Sequence, residues 1–310
     1  ETRAAVIAAK EVCDLPVIAT LSFEADGKTL YGTDAVTAAL VLEGLGVSAV
    51  GVNCSTGPDK MKEQILLMSQ NVSIPIIAKP NAGMPSLDEN GNTVYSMSPE
   101  DFAKESLGLI KAGAGIVGGC CGTTPEHIKA LHELCHTEIR PEGIVRQKRV
   151  LTSEHKTVFF GLDDPFLVIG ERINPTGKKA LQAELREGKM DMVVHFATEQ
   201  EEKGADVLDV NLGMSGIDEK EMLIKTMYEV MGVSHLPLSI DSSHCEVIEE
   251  ALRIYPGRAL VNSVSLERGK AEALFPLIKK YGAMFILLPL SDAGLPADLE
   301  EKISIIDTLL

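Results

Sequence analysis

The chain has 310 residues, 45% of them hydrophobic and 24% charged, with no tryptophan, a globular composition with ample apolar material for buried cores. Its 45 acidic against 29 basic residues give a formal net charge of −16, which argues against nucleic acid as a partner, because phosphates require a basic face. No apolar run approaches the roughly 18 residues of a membrane span, and the opening ETRAAVIAAKEV is an amphipathic helix without the pattern of a signal peptide. Six cysteines in a chain this long do not suggest a disulfide framework, so reduced thiols, a cytoplasmic location and no membrane contact are expected. Glu1 opens in mid-helix and the final LEEKISIIDTLL stops without a cap, so an excerpt of a longer polypeptide is expected.

Buried parallel strands read as short runs rich in Val and Ile, each followed by a loop and a helical pattern. The first part of the chain offers such runs at Pro16 to Phe23, Val47 to Cys54, Pro75 to Asn81 and Gly115 to Cys121. Helix starts between them are well marked. Asp34 stands at one N-cap; Ser98-Pro99-Glu100 and Thr124-Pro125-Glu126 each place a hydroxyl at N-cap, Pro at N1 and an acid in the first turn. Periodicity then fades into a charged stretch with Pro and Gly, which reads as a linker over 137–160 between domains at 1–136 and 161–310. Alternation resumes with Phe166 to Ile173, Asp206 to Leu212, Pro237 to Asp241, Ala259 to Val264 and Ala283 to Leu290. Strand–helix alternation predicts right-handed crossovers and parallel sheets, an α/β fold. A (β/α)8 barrel takes about 250 residues, and the connector divides the strands four to five. The expected architecture is therefore parts of two consecutive (β/α)8 TIM barrels, the C-terminal half of the first and the N-terminal half of the second. One doubly wound sheet of all nine strands is the competing arrangement.

Cys54 in VGVNCSTGP and the pair Cys120–Cys121 in GIVGGCCGTTPEHI lie where apolar runs break into Gly/Ser/Thr turns. The C-terminal ends of parallel strands are where α/β barrels carry their chemistry. Three thiolates give zinc a tetrahedral site with one position open, the catalytic rather than the structural arrangement. Neighbouring strand residues face opposite ways, so Cys120 and Cys121 can share a metal only if the strand has ended, which Gly118, Gly119 and Gly122 permit. On the residues alone, three small buried hydrophobes explain the same cysteines. Cys13, Cys135 and Cys245 carry no such context, and His132, Cys135 and His136 share a helix face that reads as surface, with His127 equally plain.

GVNCSTGP, the PNAG turn and GIVGGCCGTTPEHI together resemble the homocysteine-binding domain of the homocysteine S-methyltransferases. GERINPTGKK, KGADVLDVNLG, PLSIDSS and ALVNSVSLERG resemble the pterin-binding domain of methyltetrahydrofolate methyltransferases. The two in this order resemble the family of cobalamin-dependent methionine synthases, over essentially the whole chain. The resemblance implies two barrels, with zinc (Zn2+) held by Cys54, Cys120 and Cys121, and cobalamin bound by modules outside this chain. It further implies that Asp241 and Asn262 bond the pterin edge and that Asn174, Pro175 and Thr176 line the pocket, with Glu171, Asp209 and Asn211 close by. The residue types suit the task, since a carboxylate accepts from the amide and amidine edge of a pterin and a carboxamide both donates and accepts.

Methyl transfer from 5-methyltetrahydrofolate through cobalamin to zinc-activated homocysteine is the function this implies, with homocysteine, methyltetrahydrofolate and a cobalamin-binding module as partners. This excerpt alone is expected to be inactive. A cobalamin-independent zinc homocysteine methyltransferase with an appended pterin barrel, or a non-catalytic zinc or folate module, are the other readings. No residue stands out as proton donor to the pterin N5, and the charge runs EQEEK (Glu199 to Lys203) and EKE (Glu219 to Glu221) read as solvated helix faces.

Overall fold

The computed structural model describes residues 1–135 and 149–310. The chain divides into two compact units, Glu1–Lys148 and Arg149–Leu310. All the strand runs read from the sequence form strands, and they fall into two separate parallel sheets of four and five strands, not one of nine.

The first unit contains β1 (Ile18–Leu21), β2 (Ala49–Asn53), β3 (Ile76–Lys79), a short hairpin β4 (Pro85–Leu87) and β5 (Thr93–Tyr95), and β6 (Ala114–Val117). Its sheet runs β1-β2-β3-β6 with every pair parallel. Ala49, Val50 and Val52 of β2 are buried, as in a parallel strand covered on both faces. Gly51 sits there because any side chain would collide with β3: a Cβ would lie 1.7 Å from the Ile77 carbonyl oxygen. Helices Ala35–Gly44, Pro58–Ser69 and Pro99–Lys111 make the crossovers. Two of the predicted caps form as bonds: Asp34 accepts from the Thr37 N–H at 2.9 Å and Ser98 from the Asp101 N–H at 3.2 Å, each satisfying an otherwise orphaned helix donor.

The second unit opens with an antiparallel hairpin, β7 (Val150–Thr152) and β8 (Thr157–Phe159), followed by β9 (Ile169–Ile173), β10 (Val207–Asn211), β11 (Leu238–Asp241), β12 (Leu260–Leu266) and β13 (Met284–Ser291). Its sheet order is β13-β12-β11-β10-β9, again all parallel. The hairpin lies within the stretch that reads as linker in the sequence. The earlier part of that stretch, 137–148, together with His136, is outside the described residues. Alternation too short to register as a strand pattern explains the difference, since Val150, Leu151 and Val158 are all buried. Leu151 packs against Val207 and Leu260, the first residues of β10 and β12, so the hairpin closes the N-terminal end of the sheet. Thr152 and Arg258 exchange backbone bonds at 3.1 Å in both directions. The buried Tyr255 hydroxyl donates to the Thr152 carbonyl at 2.9 Å and accepts from the Leu238 N–H at 3.0 Å, tying hairpin to sheet. No helix among the described residues is long and apolar enough to cross a membrane.

Tyr255→Phe removes the bridging hydroxyl and takes from the buried Leu238 N–H its acceptor, while the Thr152 carbonyl keeps its bond from Arg258 N–H. Chemical denaturation is expected to show a loss of about 1–3 kcal/mol, with the circular dichroism of the native state unchanged.

Candidate functional site

In each sheet some strands end in polar residues, Asn53 and Lys79 in the first, Asn211 and Asp241 in the second. In the first unit β2 stops at Asn53, and Cys54 and Ser55 follow with φ of 56° and 55°. Two successive non-glycine residues in the left-handed region cost on the order of 1–3 kcal/mol each and are a mark of functional sites. Strand β6 stops at Val117, so Cys120 and Cys121 lie beyond it, free of strand alternation. They are held to the loop after β3 instead: Cys120 N–H donates to the Pro80 carbonyl at 2.9 Å, Cys121 N–H to the Asn81 carboxamide oxygen at 3.2 Å, and Ala82 N–H to the Cys121 carbonyl at 2.9 Å. Thr123 hydroxyl adds a bond to the Cys120 carbonyl at 2.7 Å.

These turns bring the three predicted cysteines together, with all three Sγ atoms within 4.8 Å of one another. Cys120 and Cys121 Sγ are 3.9 Å apart. A tetrahedral zinc with Zn–S bonds of about 2.3 Å requires about 3.8 Å between its sulfurs, so this spacing fits. Cys54 Sγ is in direct contact with Cys120 Sγ, on Cα atoms 5.8 Å apart, and completes the three-sulfur set. Cys13 is exposed, Cys135 and Cys245 are partly buried, and none of them joins a metal-capable group among the described residues.

Two residues near the cysteines, Asn81 of the PNAG turn and His127, show no individual role in the sequence. Asn81 is buried and orients Cys121 through its backbone. His127 is buried too, with Nδ1 bonded by Thr124 N–H at 3.2 Å and Nε2 3.0 Å from the Met97 carbonyl oxygen, so it is a structural pin and not a ligand.

In the second unit the predicted polar residues fall on adjoining rungs of the ladder. Asn211, Asp241 and Asn262 are register partners across β10, β11 and β12, and Asp209 pairs with Ser239 one rung pair below. Asp209 Oδ1 accepts from Ser239 Oγ at 2.6 Å and from Asn262 Nδ2 at 3.2 Å. Its Oδ2 is buried with no partner among the described residues. Burial therefore pushes the Asp209 carboxyl up to about 6, opposed by the Ser239 and Asn262 bonds and assisted by the charges of Asp241 and Glu171. Burial also raises Asp241, against a hydrogen bond from Asn211 that lowers it. After β9, Asn174 Nδ2 donates to Glu171 Oε1 at 2.6 Å and Asn174 Oδ1 accepts from Thr176 N–H at 2.9 Å. The Pro175 carbonyl accepts from Lys178 N–H at 3.0 Å and from Gln182 Nε2 at 2.8 Å, which fixes this turn.

Glu219 departs from the sequence reading of its charge run, in which Lys220 and Glu221 are exposed as read. Its carboxylate accepts from Ser242 Oγ at 2.5 Å and lies 3.1 Å from His244 Nδ1, with the Glu219 side chain only 15% exposed. It clamps the loop that follows Asp241 and is no solvated face. The other run behaves as read only in part: Glu199 pairs with Lys203 one turn on, and the lysine is 71% exposed, but Gln200 is buried and its Oε1 accepts from Arg172 N–H at 2.7 Å.

The Asp209 shift has a definite sign. The folded value of about 6 lies above the unfolded value of about 3.9, so ionising this group opposes folding. That penalty is absent below about pH 4, grows as pH rises towards about 6, and is on the order of 3 kcal/mol at neutral pH. Asp209→Asn keeps an oxygen for Ser239 and Asn262 and removes the charge. The variant is expected to be as stable as the parent at about pH 4 and more stable at about pH 7.5, by difference of denaturation midpoints.

Residues 1–135 match the family model described as homocysteine S-methyltransferase, and residues 170–304 match that of pterin binding enzymes. Among curated proteins the chain is 32% identical over 302 residues to methionine synthase of Mycobacterium tuberculosis and 31% identical over 310 residues to that of Mycobacterium leprae. Each alignment covers 96% of this chain and 25% of the relative, so the chain spans about a quarter of their length. A solved dihydropteroate synthase from Thermus thermophilus is 25% identical, covering 44% of this chain and 47% of that one, with a TM-score of 0.30. The chain is thus similar, over residues 1–135, to homocysteine S-methyltransferases and, over residues 170–304, to pterin binding enzymes, and nearly all of it aligns with one quarter of methionine synthase.

Proposed function

We propose that this chain is the part of a cobalamin-dependent methionine synthase that binds homocysteine in its first unit and 5-methyltetrahydrofolate in its second. The reaction is methyl transfer from the folate, by way of cobalamin held by another module, to the homocysteine sulfur. The observation that carries the reading is the convergence of three thiols in the first unit, two of them 66 residues apart in the sequence. The second unit supports it with a sheet edge bearing a buried carboxylate oxygen without a partner. The two sheets, four and five parallel strands with their polar residues at the C-terminal ends, support the further reading of two consecutive half-barrels.

Cys54, Cys120 and Cys121 would hold zinc. Bound there, zinc lowers the pKa of a coordinated thiol so that it is deprotonated near neutral pH and fixes its position. The chain's own contribution is geometric. The Pro80, Asn81 and Ala82 bonds fix the Cys120–Cys121 backbone, and the left-handed turn at Cys54 directs the third thiol to the same point.

At the second site Asp209 Oδ2 is an acceptor in want of a donor, and Asp241 beside it is another. A pterin supplies adjacent N–H groups along one edge, and two charge-assisted bonds orient a flat ring better than neutral ones. Asn262, tied to Asp209, is positioned to bond the same edge, and Asn211 holds Asp241. Glu171 and the Asn174-Pro175-Thr176 turn would line the side nearest β9.

Zinc X-ray absorption on the reduced full-length protein is expected to show three sulfurs and one lighter atom, becoming four sulfurs on addition of L-homocysteine. A shell that ignores homocysteine would refute the acceptor site. Cys120→Ala is expected to lose zinc and homocysteine binding while folate binding stays intact. Asp241→Ala should do the reverse, weakening methyltetrahydrofolate by roughly 10- to 100-fold in calorimetry, the equivalent of a lost bond to a charged group.

A further inference from the structure

One face of the second sheet changes character along its strands. Alternate residues of a strand share a face, so the register places Val207, Asp209 and Asn211 of β10 on the same side as Ser239 and Asp241 of β11 and Leu260 and Asn262 of β12. Val207 and Leu260 pack on Leu151 in an apolar cluster, and Asn211, Asp241 and Asn262 form the polar row nearest the strand ends. Ser239 stands where the two meet, the register partner of Asp209 on one side and of Leu260 on the other.

Ser239 has no exposed surface, and its Oγ donates to Asp209 Oδ1 at 2.6 Å. A hydroxyl beside apolar neighbours costs free energy unless it is hydrogen-bonded, and here its partner is a carboxylate. Asn262 Nδ2 donates to the same oxygen at 3.2 Å, from the row nearer the strand ends. Two donors on one oxygen stop the carboxylate from rotating and leave Oδ2, buried and without a partner among the described residues, as the acceptor that remains. The two donors differ in what else they can do. Asn262 belongs to the row proposed above to meet the pterin edge, so its carboxamide has the ligand to serve as well. Ser239, fully enclosed by the protein, serves Asp209 alone.

Resting on the function proposed above, we propose that Ser239 is a positioning residue of the folate site, its hydroxyl holding Oδ1 of Asp209 so that Oδ2 faces an N–H group of the pterin. A carboxylate anchored before the ligand arrives loses no rotational freedom on binding it. The same bond favours the ionised carboxyl, against the burial that disfavours it. No covalent bond forms or breaks.

The test uses full-length protein, with the Kd of methyltetrahydrofolate read by calorimetry for Ser239→Ala, Asp209→Ala and the double variant. Ser239→Ala is expected to keep the native circular dichroism and bind methyltetrahydrofolate roughly 10-fold more weakly, the scale of one hydrogen bond to a charged group. In the Asp209→Ala background the same substitution is expected to change Kd by less than about twofold, because a residue that acts through another is silent once that other is gone. A folded Ser239→Ala protein that binds within about twofold of wild type overturns the proposal. An equal loss in both backgrounds overturns it too, as a general loosening of the sheet. If the Ala variant does not fold, Ser239→Cys, close in size and only a weak donor, is read by the same criteria. Wild-type protein that binds no methyltetrahydrofolate would instead overturn the function proposed for the second unit, and this inference with it.

Discussion

The molecule depends on parallel strands that end at a common level. In a parallel sheet with helical crossovers every C-terminal strand end lies on one edge, so residues remote in sequence meet there without any special device. Cys54 and Cys120, 66 residues apart, belong to strands with β3 between them, and the loop after β3 supplies the bonds that hold the Cys120–Cys121 turn. The same constraint aligns Asn211, Asp241 and Asn262 on neighbouring strands. Register converts three distant polar residues into one surface, and a shift of a single residue would turn each to the opposite face.

That alignment has an energetic consequence. Placing Asp209 one rung pair inside the sheet edge strips it of water, and Ser239 and Asn262 satisfy only one of its oxygens. Asp241 and Glu171 add like charge. A sequence under selection for stability alone would carry a neutral residue there, because an unpaired buried acceptor costs about 1–3 kcal/mol. The carboxylate makes physical sense as half of an interaction whose other half is a ligand N–H group. The left-handed pair Cys54–Ser55 belongs to the same class, a local cost concentrated where the chemistry is proposed.

The sequence was most legible where one residue type has one use. Val- and Ile-rich runs marked every strand of both parallel sheets, and Ser98 and Asp34 capped the helices they precede. The cysteines stood out because each follows the end of an apolar run, and the turns there bring their three sulfurs together, which packing as separate small hydrophobes would not require. Three kinds of feature were not. The hairpin β7–β8 has strands too short to show a period, and its burial is decided by Tyr255, 103 residues from its partner Thr152. Glu219 sits in a charge run whose local pattern resembles a solvated face, and only the loop from β11 gives it partners. Ser239 and Asn81 stand in the PLSIDSS and PNAG motifs, but their roles lie in bonds to Asp209 and Cys121, distant residues for which no sequence spacing exists.

The two sites meet the demand for fixed geometry in different ways. The polar layer of the second unit stands largely on strands, whose ladders fix Asp209, Asn211, Asp241 and Asn262 directly, and one clamp from Glu219 steadies the loop beyond. The cysteines stand on turns, which a ladder does not hold. Each turn must therefore be braced by contacts of its own: Asn81 and Pro80 on the Cys120–Cys121 backbone, Thr123 on the Cys120 carbonyl, and His127 on the limb that carries Tyr95. Glycines complete the bracing, since a Cβ on Gly119 would meet the Thr123 side chain at 2.5 Å and one on Gly122 would displace the Tyr95 ring. A site built on strands tolerates change in the loops around it. A site built on turns does not, so the GGCCG run and the hairpin facing it have to be understood as one unit.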